Sequence, residues 1–340
     1  MSQSRRVFLG ALAATAAAPW RTFGETTPDS QSDSSADSLS GQILALFKPL
    51  PGINSLKIFA PATSTQPELL VQLKPGKRLF VGSVIKSFIL CEALRQVDSL
   101  NVAGKLTGTE LDLDASVWSP YSPILNPPNL IGMVSERTAL EAMIMHSDNT
   151  GTDMSMLQAG VDNVRNFLAS IGLTQTQVPL STRSFFGYLY GAPNYKTITW
   201  SELEGFIQSK APIVNPTLNN AITLASSAND LVSYYSRALV GDFFSKTTPT
   251  LAEFLRILSL GEAVSLVVPL GATGFGKGGS IDYPGDHALS YAGGMFFSKR
   301  WVFSAFTIKW DAPGEDDHDT VTAWIGAVAA ALKLVFDALS

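Results

Sequence analysis

Strand-like runs stand near both ends of this 340-residue chain, and helical runs fill the middle. SLKIFAP (55–61) and PELLVQLKPG (67–76) are short apolar stretches bounded by Pro and Gly, the pattern of a hairpin. HALSYAGGMFFS (287–298) and RWVFSAFTIKW (300–310) alternate well enough to pair through Ser298-Lys299-Arg300. Between them SVIKSFILCEALRQVD (83–98), ERTALEAMIMHSDNTGTDMSMLQAG (136–160), VDNVRNFLASIG (161–172) and SANDLVSYYSRALVGD (227–242) carry helical spacing. GQILALFKPL (41–50) reads as a short helix stopped by Pro49 and Pro51, and TVTAWIGAVAAALKLVFDAL (320–339) as a last helix packed on a sheet. A sheet built from both ends, with a helical region inserted between, is the expectation. Residues 41–80 and 225–340 would supply the sheet subdomain, and 81–224 the helical one with a long active-site loop. Residues 174–222, rich in Pro, Asn, Thr and aromatics, read as that long loop.

The N-terminus has a different use. SRRVFLGALAATAAAPW joins a twin arginine, Arg5-Arg6, to a short alanine-rich apolar run ending at Ala18. That is the pattern of a twin-arginine export signal over 1–24, too short to span a bilayer as a helix. Its removal takes three arginines and no acid, moving the net charge from −5 to −8. A polar Ser/Asp-rich linker over 25–40 follows. Export by this route predicts a periplasmic or secreted protein, with no stable membrane span after signal removal. The acidic balance, with no basic stripe, argues against a nucleic-acid partner. The single cysteine, Cys91, lies in an apolar run and reads as a buried, inert thiol with no disulfide to make.

GATGFGKGGS (271–280) nearly matches a phosphate-binding loop. Such a loop needs a strand before it and a helix after it. AVSLVVPL (263–270) passes for the strand, but Gly278, Gly279 and Pro284-Gly285 cannot open a helix. Gly278 also stands where a magnesium-binding hydroxyl belongs, so nucleotide binding is set aside.

Ser83-Val84-Ile85-Lys86 is the only S-x-x-K in the chain. Three residues apart on a helix, the hydroxyl and the amine share a face. A lysine desolvated among Val84, Ile85, Phe88, Ile89 and Leu90 would give up its proton easily and serve as a base. Ser147-Asp148-Asn149 follows 64 residues later, and Lys277-Gly278-Gly279 a further 130 on. The ordered set S-x-x-K, S-D-N, K-[ST]-G resembles that of the class A β-lactamases and penicillin-binding proteins. The likeness extends through GSVIKSFILCEALRQVD, WSPYSPIL with its Tyr121, SDNTGTDMSMLQAGVDNVRNFLASIGL and KGGSIDYPGDHALSYAGGMFF, from about Gly41 to the C-terminus.

The resemblance implies an α/β (α+β) fold with an antiparallel five-stranded sheet flanked by helices and an inserted all-α subdomain. It implies a monomer with no cofactor or metal, acting on a small β-lactam or a peptidoglycan-like substrate. Ser83 would be the nucleophile and Lys86 its base. Ser147 would pass a proton to the departing nitrogen, and Asn149 would hold Lys86 and the substrate amide. Lys277 would polarise Ser147 and attract a substrate carboxylate. The backbone N–H groups of Ser83 and Ser280 would form the oxyanion hole beside Gly279, Tyr121 would gate the cleft, and Asp148 would pin the loop. β-Lactam hydrolysis of class A type is the first expectation. A D,D-peptidase or esterase with the same nucleophile, or a penicillin-binding sensor without turnover, are the alternatives.

Two departures stand out. Gly278 replaces the Thr or Ser of K-[ST]-G and removes a hydroxyl from the carboxylate end of the site. The glutamate that activates the deacylating water in class A enzymes is missing: alignment puts Thr182, Arg183 or Ser184 at its place, and no acid occurs between Asp162 and Glu202. Glu202 or Glu204 would substitute if the long loop folded back. GEDDHD (314–319) reads as a solvated acidic turn, and His146, His287 and His318 have no part in an S-x-x-K mechanism.

Overall fold

The computed structural model describes residues 38–314 and 317–340, so the expected export signal and linker residues 25–37 lie outside it. The linker ends earlier than its composition suggests. Ser38 caps helix α1 (Leu39–Phe47), its hydroxyl accepting the Gly41 N–H at 3.1 Å.

Strands β1 (Ile53–Ala60) and β2 (Leu69–Leu73) form the expected antiparallel hairpin, from Leu56↔Leu73 to Ala60↔Leu69. Strand β3 (Leu79–Phe80) leads into a 3₁₀ turn, Gly82–Ile85, and then the central helix α2 (Lys86–Gln96). The helical region continues with α3 (Val102–Gly108), the hairpin β4 (Glu110–Leu113) and β5 (Gly132–Ser135), α4 (Glu136–Met145), α5 (Asn149–Ala159) and α6 (Val161–Ser170). Helices α7 (Thr182–Leu189) and α8 (Trp200–Gln208) come next, then β6 (Ala225–Ser226), which pairs with β3. Helices α9 (Ala228–Ala238), α10 (Thr250–Leu258) and α11 (Glu262–Val267) lead to β7 (Thr273–Tyr283), β8 (Asp286–Phe297) and β9 (Arg300–Trp310). Helix α12 (His318–Leu339) closes the described chain.

The five long strands make one antiparallel sheet in the order β2-β1-β9-β8-β7. The N-terminal hairpin docks on the last strand, Ile53↔Lys309 to Phe59↔Phe303, which leaves β7 at the edge. Helices α1 and α12 cover one face through Ile43, Phe47, Trp324, Val328 and Leu332 packed on Leu56, Phe306 and Ile308. A second core surrounds α2. Phe88, Ile89, Leu90, Cys91 and Leu94 are all buried there, with Tyr234 of α9 edge-on to Phe88 at 4.6 Å. Burial raises the Cys91 thiol far above its ordinary pKa, as an inert core cysteine requires.

Two local expectations are corrected. Residues 174–222 are no open loop, because they hold α7 and α8. Each opens with a capping box, Ser181 with Ser184 and Thr199 with Glu202. AVSLVVPL is the helix α11 and the turn after it, not a strand. Its valines suit either state, and packing across the glycines of β7 selects the helix. The acidic turn has a structural task at one residue: Asp317 caps α12 and accepts the Trp310 Nε1–H at 2.9 Å.

Candidate active site

Ser83 sits on the 3₁₀ turn ahead of α2, half-exposed, while Lys86 one turn on is fully buried. Two glycines bring this turn against the sheet. Gly82 has φ +52°, and a Cβ there would lie 3.0 Å from Ser280 N. A Cβ on Gly279 would lie 2.1 Å from Val81 O and 2.7 Å from Ser83 N. Backbone therefore meets backbone around Ser83 N and Ser280 N. Ser290 Oγ of β8 donates to Val81 O at 2.6 Å and ties the turn down. In the first turn of the helix Ser83 N–H has no intrahelical acceptor and can serve a developing oxyanion.

Lys86 Nζ donates to Ser147 O at 2.6 Å, Asn149 Oδ1 at 2.7 Å and Ser147 Oγ at 3.2 Å. None of these acceptors is charged. Burial, and then the nearby charge of Lys277, hold the Lys86 pKa well below the usual lysine range, against the opposing pull of Asp148 and Asp153. Burial thus loosens the amine's hold on its proton, the direction a base needs.

The turn that presents Ser147 is built for the purpose. Ser147 has φ +56°, a left-handed conformation that a non-glycine residue adopts at a cost of about 1 kcal/mol or more. Asp148 holds it there: Oδ1 accepts Gly151 N–H at 2.8 Å as the cap of α5, and Oδ2 accepts the N–H groups of Ile124 and Leu125 at 2.9 Å each. Asp148 thus joins α5 to the loop that carries Tyr121, the pinning part expected of it. Asn149 Nδ2 donates to Pro120 O at 2.8 Å, which leaves Oδ1 facing Lys86.

Tyr121 is 60% exposed, with φ +61°. Its hydroxyl lies 3.3 Å from that of Tyr283 at the end of β7, and its ring 5.2 Å from Phe186 of α7. The pair links the helical side of the cleft mouth to the sheet edge.

Lys277 lies on β7 and is buried; burial lowers its pKa to about 8, with the Glu262 charge pulling the other way. Its Nζ donates to Gly278 O at 3.0 Å. Among the described residues no hydrogen bond joins Lys277 to Ser147, or the Ser83 hydroxyl to Lys86, so the structure brings Lys86, Ser147 and Asn149 into one bonded cluster with Ser83 and Lys277 beside it. Gly278 has a steric reason: a Cβ there would lie 2.6 Å from Ala263 Cβ on α11.

Several residues of the site escape a reading from motifs. Asp153, four residues after Asn149 and so on the same face of α5, is a buried carboxyl whose pKa burial raises. It accepts Thr182 N–H at 2.6 Å, Thr182 Oγ1–H at 2.7 Å and Arg183 N–H at 3.0 Å. Thr182 Oγ1 also lies 2.7 Å from Ser119 Oγ and 3.3 Å from Asn149 O. Of Thr182, Arg183 and Ser184, the three candidates for the place of the water-activating glutamate, Thr182 is thus the one whose hydroxyl an aspartate holds. Glu202 does not replace it: it is exposed at the start of α8, bonded to Thr199 N–H at 2.8 Å, Thr199 Oγ1 and Asn194 Nδ2 as a helix cap. His146, set aside in the sequence, lies 3.0 Å through Nδ1 from Glu262 Oε1. Among the described residues no group of three or more His, Cys, Asp and Glu side chains is arranged to hold a metal ion.

No curated protein matches the chain in sequence. A profile of the β-lactamase enzyme family matches residues 39–334. Among solved structures, the TLA-3 extended-spectrum β-lactamase superposes with a TM-score of 0.66 at 17% identity, covering 90% of this chain and 99% of that one. A class A β-lactamase from Mycobacterium abscessus gives 0.63 at 16%, covering 88% and 99%. A PBP-A mutant in acyl-enzyme complex with penicillin G gives 0.61 at 17%, covering 88% and 95%. These structures share the α+β fold, its five-stranded antiparallel sheet included. With a profile that spans nearly all of the described chain, this serine hydrolase belongs to the β-lactamase enzyme family.

Proposed function

We propose that this protein opens the β-lactam amide by acylating Ser83, and that it releases the acyl group slowly. The observation that carries the reading is Lys86: a fully buried amine, one turn from Ser83, hydrogen-bonded only to neutral groups. Such a lysine takes the Ser83 proton as the hydroxyl attacks. The carbonyl oxygen becomes an oxyanion between the Ser83 and Ser280 N–H groups, each such donor being worth about 3–4 kcal/mol. Lys86 Nζ touches Ser147 Oγ, so the proton has a short path through Ser147 to the departing amide nitrogen. Asn149 orients Lys86 and offers its amide to the substrate, and Lys277 supplies positive charge at the other end of the cleft.

Deacylation needs a second base, and here the Thr182–Asp153 pair favours retention of the acyl group. Thr182 has no carboxylate of its own, and the Asp153 carboxylate is occupied by three hydrogen bonds. The second reading, a penicillin-binding protein with little turnover, follows from the same pair. Twin-arginine export to the periplasm or beyond and removal of residues 1–24 complete the proposal on the Arg5-Arg6 pattern, and a monomeric state on the family resemblance.

The test is a time course of intact mass after mixing with a penicillin. An adduct that forms within seconds and persists for many minutes supports the slow-release reading. One that vanishes as product accumulates supports a fast β-lactamase. No adduct at any time, with no hydrolysis, contradicts acylation by penicillins.

A further inference from the structure

The carboxylate end of the cleft is built differently from its serine end. The first turn of α11 lies directly on the strand around Lys277. A Cβ on Gly261 would lie 2.5 Å from Gly276 O, one on Gly278 would lie 2.6 Å from Ala263, and one on Gly274 would lie 2.5 Å from Val264. These contacts admit only glycine at the facing positions of β7. They exclude any hydroxyl-bearing side chain at 278, and they set Glu262, between Gly261 and Ala263, at the edge of Lys277. Glu262 is 68% exposed at its side chain, its charge acts on Lys277, and its Oε1 is held 3.0 Å from Nδ1 of His146, the residue before Ser147. A carboxylate of the protein's own thus stands at the end of the cleft where Lys277 would meet one from a substrate.

We propose that Glu262, positioned by His146 and by the glycine-lined seat of α11, is a specificity-determining residue that turns the site toward acyl donors without a negative charge at the Lys277 end. Neutral esters and amides are the favoured class, and a free carboxylate next to the scissile bond is a handicap. The inference rests on the acyl-enzyme reading above. Two separate features support it: the anion-binding hydroxyl is sterically shut out at Gly278, and the Lys277 charge already has a neighbour of opposite sign. Like charges facing one another across a partly solvated cleft alter association by a modest factor, not by orders of magnitude.

The experiment measures Ser83 acylation rates by intact mass for benzylpenicillin and its methyl ester, in the wild type and Glu262→Gln. The glutamine keeps the size and the hydrogen bond to His146 and removes only the charge. The expected result is a rise in the acid-to-ester rate ratio of about three- to tenfold in Glu262→Gln. An unchanged ratio, whether both rates move together or neither moves, overturns the assignment, because a purely structural role for Glu262 affects both compounds alike. No acylation by either compound in either protein overturns the acyl-enzyme reading itself, and this inference falls with it.

Discussion

Gly278→Thr restores the hydroxyl that K-[ST]-G motifs carry, and the structure predicts that it harms this protein. The new Cβ would meet Ala263 Cβ at 2.6 Å, nearly an ångström inside ordinary contact, before the rest of the threonine is placed. Either α11 lifts off β7 or the strand bends. Overpacking of this kind costs about 1–3 kcal/mol. A β-branched residue in a strand returns at most about 1 kcal/mol. The net loss is about 1–2 kcal/mol, and at about 2–4 °C per kcal/mol it lowers the thermal midpoint by about 2–8 °C. Ala263→Gly removes the opposing methyl, at a cost of about 1 kcal/mol in helix propensity. The double variant should therefore be more stable than the two single losses predict, with a coupling of about 1–2 kcal/mol. Thermal or urea denaturation of the four proteins measures the cycle. A coupling within about 0.5 kcal/mol of zero would refute the steric account of Gly278.

Further predictions concern the buried charges. Thr182→Glu alone sets a second carboxylate against Asp153, whose Oδ1 lies 2.7 Å from Thr182 Oγ1, so it should destabilise the protein. Paired with Asp153→Asn it should be tolerated and should shorten the lifetime of the acyl adduct at least tenfold, since a general base contributes about 10²–10⁴; an adduct as persistent as the wild type's would count against Thr182 as the deacylation position. Lys277, at about 8, is charged below that pH and neutral above it. Acylation by a carboxylate-bearing penicillin should accordingly fall as pH rises through about 8, and Lys277→Arg should flatten that fall; an unshifted profile in the arginine variant argues against Lys277 as its source. Glu136, a buried carboxyl at the start of α4 with Oε2 unpartnered, is pushed up by burial to about 7. Between its ordinary value near 4.5 and about 7 the folded state keeps a proton that the unfolded state has lost, so stability falls as pH rises through that window and stays reduced above it. Glu136→Gln should be more stable than wild type by about 1–2 kcal/mol at pH 8 and unchanged at about pH 4, as thermal melts at the two values will show.

The parts of this fold that local chemistry dictates were legible in the sequence. Alternation and turn residues marked β8 and β9, and Ser298 and Lys299 do take the positive φ angles of a tight hairpin turn. S-x-x-K and S-D-N were legible because their spacing in sequence is also their spacing on a helix or turn. What stayed hidden depends on distant packing. The valines of α11 fit a strand or a helix, and only the glycines of β7, up to 15 residues on, decide between them. Nothing local joins Asp153 to Thr182, 29 residues apart. Nor does anything local join His146 to Glu262, 116 residues apart, or Tyr121 to Tyr283 across the cleft mouth. By contrast, α7 and α8 lay within reach. Their Ser-x-x-Ser and Thr-x-x-Glu caps stand in a stretch whose prolines and asparagines carry the opposing signal of a loop.

Ser83 Oγ is the atom that becomes acylated. Mixing with a penicillin, quenching in acid and digesting with trypsin places Ser83 in the peptide Leu79–Lys86, between Arg78 and the cut after Lys86. Acylation at Ser83 Oγ predicts that the acyl mass appears on that peptide and on no other, and that Ser83→Ala carries no adduct although it folds as the wild type does. An adduct on a different peptide, or one that survives in Ser83→Ala, would contradict it.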